Sequence, residues 1–254
     1  MLQTTNERPA IEVEALAKSF DGVPAVRGVS FAVARGETVA LLGANGAGKT
    51  TTISMLLGLL LPSAGRAQVL GADMARERHR VLGRINLSSP YVDLPRRLTV
   101  EQNLLFFANL YGVPRPRDRV AALTGELELT ALLKRRMGSL SAGQKTRVSL
   151  AKALVNEPEV LLLDEPTASL DPDSGDWVRS FLEAYRARSG AAILLASHNM
   201  AEVERLCDRV LMMRQGRIVD QGTPAALLSR YGRRSLEEVF LDIARERRRE
   251  EAAE

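Results

Sequence analysis

Between Gly43 and Thr50 the chain reads Gly-Ala-Asn-Gly-Ala-Gly-Lys-Thr. Glycines at Gly43, Gly46 and Gly48 let backbone N–H groups turn inward around an anion, where side chains would block the approach. Asn45 and Ala47 complete the turn. Lys49 then supplies a point charge suited to β- and γ-phosphates, and the Thr50 hydroxyl suits Mg²⁺, with Thr51 directly behind it. The flanks agree with this chemistry. Thr38 to Leu42 is an apolar run that reads as a buried strand, and a helix is expected from about Lys49 to Leu57, stopped near Gly58 and Pro62. Strand, glycine-rich turn and helix in that order is the context that distinguishes a phosphate-binding loop from an ordinary turn. The helix adds its positive N-terminal end.

A second constellation lies at Val160 to Pro166, Val-Leu-Leu-Leu-Asp-Glu-Pro. Two consecutive carboxylates at the end of a buried apolar strand have no evident packing use. Asp164 is suited to hold Mg²⁺ through its water shell, and Glu165 to polarise an attacking water as general base.

With these two motifs, Leu140-Ser-Ala-Gly-Gln144 makes the chain resemble the ABC ATPases over nearly its whole length. This stretch is similar to the family's signature motif and precedes the Asp-Glu pair at the expected interval. Ser141 can cap the helix that follows, so that its hydroxyl and the first amides converge on an anion. The resemblance implies that this anion is the γ-phosphate of ATP held by a second protomer, met by Ser141, Gly143 and Gln144. Ala142 stands where the family usually has glycine. Ser169-Leu170-Asp171 resembles the loop that crosses the dimer interface, and His198 matches the switch histidine that contacts the γ-phosphate. Its position after the apolar run Ile193 to Ala196 suits that role, because ligands gather at the C-terminal ends of parallel strands. Phe20 lies where the family stacks an aromatic ring on adenine; the competing reading is a core phenylalanine. One family feature is missing. No glutamine occurs in Arg84 to Tyr91, leaving Asn86, Ser88 or Ser89 as substitutes at the Mg²⁺ site.

The elements that must hold these residues follow from periodicity. Ile11, Val13 and Ala15, then Val29, Phe31 and Val33, alternate as strands of a small antiparallel sheet. Thr99 with Gln102 opens an amphipathic helix through a capping box. Pro114 to Arg119 reads as a loop, Gly143 to Val155 as a helix. Strand, helix, strand then recurs at Val160 to Leu163, Ser174 to Arg188 and Ala191 to Ala196, which argues for a parallel sheet with helices on both faces. Val210 to Met213 and Arg217 to Val219 form a hairpin around Gln215 and Gly216. A last helix starts at Ser235, with Glu238 completing a capping box and Leu236, Val239, Phe240 and Ile243 as its stripe. The expected fold is α/β: a phosphate-loop NTPase core, mainly parallel sheet flanked by helices, with a small antiparallel β subdomain and an inserted helical subdomain. The whole of 1–254 is read as a single nucleotide-binding domain, with the helical insertion at roughly 88–156 and a C-terminal helical extension at roughly 224–254.

Composition narrows the partners. The chain has 254 residues, 45% hydrophobic, and 35 basic against 31 acidic residues for a net charge of +4. That excess, partly in the run Arg245 to Arg249, is too small to argue for nucleic acid. Cys207, the sole cysteine, excludes an intrachain disulfide and reads as a buried thiol in a reducing compartment. No apolar run approaches the roughly 18–20 residues of a membrane span, and Met1 to Ala10 lacks a signal-peptide core. Any membrane role is expected through a partner, at the cytoplasmic face. The resemblance implies ATP and Mg²⁺ as ligands, a homodimer that closes on ATP, and integral membrane permease subunits docking near Ser88 to Leu98. A single nucleotide domain and the ending Ser235 to Leu241 resemble bacterial exporters. The alternatives are an importer ATPase and a soluble ABC ATPase acting on ribosomes or DNA; a phosphate-loop GTPase or kinase is opposed by the signature motif.

Overall fold

The structure is a computed structural model and describes residues 8–89, 93–168 and 170–251, with side chains in the last helix as far as Ile243. Ser169, Pro90, Tyr91, Val92, the first seven residues and the side chains of Arg245 to Arg249 therefore lie outside the described residues.

Two sheets organise the chain. Strands β1 (Ile11–Phe20), β2 (Val23–Val33), β4 (Ala64–Val69) and β5 (Ala72–Asp73) form an antiparallel sheet in the order β2-β1-β4-β5. The larger sheet holds β3 (Thr38–Leu42), β6 (Ile85–Ser88), β7 (Val160–Asp164), β8 (Ala192–Ser197), β9 (Arg209–Arg214) and β10 (Arg217–Gly222), ordered β10-β9-β3-β8-β7-β6. The pairs β9–β3, β3–β8, β8–β7 and β7–β6 are all parallel, and only β10 runs against its neighbour. Its turn, Gln215 and Gly216, has φ of 47° and 76°, the two left-handed residues that a tight hairpin needs to match strand twist.

The helices are α1 (Lys49–Leu56), α2 (Val100–Leu110), α3 (Pro116–Glu126), α4 (Ala142–Leu154), α5 (Pro172–Ser189), α6 (Met200–Leu206), α7 (Pro224–Tyr231) and α8 (Leu236–Glu251). The central strands β3, β7 and β8 are buried at every position, so their alternation separates two apolar layers rather than core from solvent. Ala40, Leu42, Leu161, Leu163, Ile193 and Leu195 face a core shared with α2 to α8. Val39, Leu41, Leu162 and Leu194 face one shared with α1 and the antiparallel sheet.

Two expectations need correction, and one helix goes unannounced in the sequence. Pro114 to Arg119 is not wholly loop, because α3 starts at Pro116. Proline at the first helical position costs no hydrogen bond and presets φ. Helix α6, which follows His198, has too few residues to declare itself by period. At the start of α8 only half of the capping box forms: Glu238 N–H donates to Ser235 Oγ at 3.3 Å, while the Glu238 carboxylate accepts from Arg234 N–H at 3.0 Å instead of from Ser235. The helix still packs on its own chain through Leu236, Val239 and Ile243. Leu236 N–H donates to Glu204 of α6, and Arg214 donates to the carbonyl of Ile243.

Candidate active site

Four adjacent parallel strands, β3, β8, β7 and β6, end on the same edge of the sheet. From those ends come the glycine-rich loop, Ser197-His198, Asp164-Glu165 and Ser88-Ser89 respectively. Register fixes their mutual placement, with Asp164 paired to Ala196 and Leu42 to Ser197. Chain direction alone thus gathers residues from distant parts of the sequence, since parallel strands deliver their C-terminal loops to one side.

Asn45, Gly46, Ala47, Gly48, Lys49, Thr50, Thr51, Asp164 and Glu165 line one cavity of about 260 Å³, together with Ala25 from β2. Gly43 lies behind it, where an added Cβ would come within 2.5 Å of the Met213 carbonyl oxygen. Gly48 carries both constraints of a phosphate loop. Its φ is 105°, and a Cβ there would meet the Ala25 carbonyl oxygen at 2.7 Å. Lys49 reaches back inside the loop, donating to the carbonyls of Gly43 at 2.6 Å and Ala44 at 3.3 Å.

Electrostatics bind this set together. Burial lowers the Lys49 ammonium below the ordinary lysine range, against the pull of Glu165 and Asp164. Asp164 is buried and its pKa is raised, first by desolvation and then by the Glu165 charge. Lys49 and hydrogen bonds from the Ser89 and Thr50 hydroxyls oppose that rise. Glu165 sits at φ 51°, an uncommon conformation for a side chain of its size. Its N–H donates to the Ala196 carbonyl at 2.8 Å, and its carboxylate lies 2.7 Å from His198 Nδ1.

Comparison with known proteins decides which family this arrangement belongs to. The family model described as ABC transporter covers residues 26–168. The chain belongs to the ABC transporter ATPases. It is 40% identical over 222 residues to the Nod factor export ATP-binding protein I of Paraburkholderia xenovorans, covering 87% of this chain and 73% of that protein. Among solved structures, an ATP binding subunit of an ABC transporter superposes with a TM-score of 0.84 at 30% identity, over 92% of this chain and 99% of that one. The cbiO1 subunit from Clostridium perfringens, part of the transporter complex cbiONQ, gives 0.79 at 33% identity over 88% and 92%. This chain is accordingly an ATP-binding, ATP-hydrolysing subunit of an ABC transporter.

As an ABC ATPase it distributes its remaining motifs away from the phosphate cavity. Ser141 is the N-cap of α4: its hydroxyl accepts from Gln144 N–H at 3.3 Å, and Gln144 Oε1 accepts from Ser141 N–H at 3.1 Å. Asp171 is the N-cap of α5, accepting from Ser174 N–H at 3.0 Å, a bond that lowers its pKa. A Cβ on Gly143 would stand 3.1 Å from Ser174 Oγ, so the signature turn and the start of α5 are packed together. No residue of 141–144 lines the phosphate-loop cavity of its own chain. Phe20 is 47% exposed, which rules out the core-phenylalanine reading; it ends β1 beside the turn into β2, outside the cavity lining. Cys207 is buried, and burial pushes its thiol far up.

The three substitutes for the missing glutamine separate cleanly. Asn86 is turned away from the site, its amide donating to Asn156 Oδ1 at 2.7 Å and its carbonyl oxygen accepting from Lys152 at 3.0 Å. Burial pushes that lysine down to about 8. Ser89 instead reaches Asp164, and Ser88 lines an adjoining cleft with Ser89, Lys145 and Glu165. Sequence reasoning missed Ala25, whose carbonyl closes on Gly48, and Glu202. The sole signal for Glu202 was its interval from Asn199, which suggests a capping box and nothing more.

Proposed function

We propose that the chain binds ATP with Mg²⁺ in the phosphate-loop cavity and hydrolyses it with Glu165 as general base, within a homodimer that powers export through separate membrane subunits. The donor set fits Mg²⁺. Thr50 and Asp164 offer hard oxygens in direct contact, and among the described residues no cluster of three or more His, Cys, Asp or Glu forms a cage. Mg²⁺ characteristically takes one or two protein oxygens and completes its shell with water and phosphate. When bound, it would supply charge neutralisation on the β- and γ-phosphates. Lys49 and the loop amides hold the same phosphates, and Glu165, oriented by His198, takes the proton of the attacking water.

The 2.7 Å contact between His198 and Glu165 beside the phosphate loop carries this reading. The homodimer rests on the separation of Ser141, Gly143 and Gln144 from the cavity of their own chain, which leaves the N-terminal end of α4 to meet the nucleotide of a second protomer. Asp171 would join that interface, and Phe20, exposed at the edge of β1, would stack on adenine. Driving such a closure from 1:99 to 99:1 requires about 5.5 kcal/mol of differential binding. Export rests on the likeness to the Nod factor export ATP-binding protein of Paraburkholderia. No described helix is long and apolar enough to cross a membrane; as the ATPase subunit of an ABC transporter the chain would sit peripherally, at the cytoplasmic face, through its membrane partners. Phe106 and Leu110, exposed one turn apart on α2, would offer a permease an apolar surface in addition to the expected docking segment Ser88 to Leu98.

Glu165→Gln tests the chemistry: it is expected to abolish phosphate release while retaining ATP and accumulating a closed dimer, and unchanged hydrolysis would refute the base assignment. Affinity purification from solubilised native membranes tests the partner. Recovery of a multispanning protein supports transport, whereas recovery of ribosomes or soluble partners alone overturns it.

A further inference from the structure

Beneath the reacting edge lies a carboxylate that ATP chemistry does not itself call for. Glu202, in α6, is completely buried, as is Ser197, and Thr167 is nearly so. Thr167 Oγ1 donates to Glu202 Oε1 at 2.8 Å, and Ser197 Oγ donates to Glu202 Oε2 at 2.7 Å. The Ser197 hydroxyl also accepts from Asn199 N–H at 3.0 Å, and Glu202 N–H donates to Asn199 Oδ1 at 3.2 Å. Thr167 follows Glu165 by two residues, and Ser197 immediately precedes His198. One side chain therefore grips both backbone corners from which the Glu165 carboxylate and His198 imidazole meet.

We propose that Glu202 is a positioning residue for hydrolysis, clamping Thr167 and Ser197 so that Glu165 and His198 are held in their 2.7 Å contact. The inference rests on Glu165 and His198 being the reacting pair. Burying a carboxylate is costly, and an apolar side chain of similar volume would serve packing as well or better. Desolvation accordingly raises the pKa of Glu202, and only the two hydroxyls and the distant Arg179 work against that rise. What the carboxylate offers that a leucine cannot is two directed acceptors, one for each loop. Glu165 needs such restraint. A left-handed conformation in a residue other than glycine persists only where surrounding contacts over-determine it. The Glu165 N–H bond to Ala196 supplies one contact, and the Thr167–Glu202 bond fixes the loop on its other side.

The test is steady-state ATP hydrolysis and ATP binding on the full chain. Glu202→Ala is expected to lower kcat about 10- to 100-fold, the order of loss that an ångström of misplacement causes, with ATP affinity within about threefold of wild type. Thr167→Val removes the hydroxyl at nearly constant volume and should lower kcat, while Thr167→Ser should restore it. This pair decides the matter if Glu202→Ala fails to fold. In the Glu202→Ala background, Thr167→Val should add little, because both act through one bond. Wild-type kcat in Thr167→Val and Glu202→Ala, or equal losses of affinity and kcat, overturns the proposal. Glu165→Gln is measured alongside. If it is inactive while the Thr167 and Glu202 variants are normal, only the positioning role falls; if it is fully active, the base assignment falls and the clamp falls with it.

Discussion

Glu165 Oε1 and His198 Nδ1 lie 2.7 Å apart, although 33 residues separate them in the chain. Adjacent strands β7 and β8 end in parallel register, Asp164 against Ala196, so Glu165, one residue past Asp164, and His198, two residues past Ala196, meet beyond the strand ends. On the proposed mechanism, the contact joins the general base to the group that orients it. His198→Ala is therefore expected to cut kcat by about 10²- to 10³-fold, within the range of a lost acid–base element. In a Glu165→Gln background the same change should cost much less. Phosphate-release assays on the two single variants and the double would check this, and additive losses would count against a shared role.

Lys49 is buried among the loop carbonyls with its ammonium held below the ordinary range, so the phosphate-binding role proposed for it would come at some cost to the free protein. At about 100 times its Kd, ATP should stabilise the wild type by about 2.7 kcal/mol, a rise in Tm of about 5–10 °C for a chain of this size. Lys49→Ala should lose most of that rise while keeping a Tm without ATP close to wild type or above it. Differential scanning fluorimetry with and without Mg·ATP reads both quantities. A full ATP shift in the variant would remove Lys49 from phosphate binding.

Away from the site, Glu159 is gripped by Arg84 and Arg35, which hold its carboxyl at about 2 against 4.5 for an ordinary glutamate. A depressed folded pKa contributes stability that is fully present above 4.5 and is lost as pH falls through about 2. The carboxylate is over a third exposed, so screening limits the pair of bridges to about 1 kcal/mol. Glu159→Gln should lower Tm by about 2–4 °C at pH 7, and the gap should narrow steadily below pH 4.5. A gap that persists undiminished at acid pH would point to packing rather than charge.

The C-terminal helix α8 is anchored on its own chain, with Leu236 fully buried against the core that α6 and α7 share. Leu236→Ala is expected to destabilise the protein by about 2–5 kcal/mol, visible as a loss of Tm independent of protein concentration. A helix serving only to dimerise would show a concentration-dependent effect instead.

Much of this was legible from residue order. The phosphate loop, the Asp164-Glu165 pair and the caps at Thr99 and Ser141 are local devices, in which residues a few positions apart meet because strand and helix geometry brings them together. A strand period cannot say which strands pair, and so it could not tell that Ser89 rather than Asn86 would face Asp164. Asn86, inside β6, is taken by Lys152 and Asn156 of a distant segment, whereas Ser89, just past the strand end, reaches Asp164. Pro114 to Arg119 reads as a loop although α3 starts at Pro116, because proline both stops a helix within it and starts one at its first turn.

By itself the sequence determined that this protein is an ATP-binding and ATP-hydrolysing subunit, because the phosphate loop, the Asp164-Glu165 pair and the signature stretch that together resemble the ABC ATPases each lie in a short run of residues. Tertiary structure alone decided that Glu202 would join Thr167 to Ser197, that Gly143 would abut Ser174, and that Phe20 would be exposed. Those relations depend on parallel strand order and on helices packed across a buried sheet. Such contacts span tens of residues, and no local period encodes them.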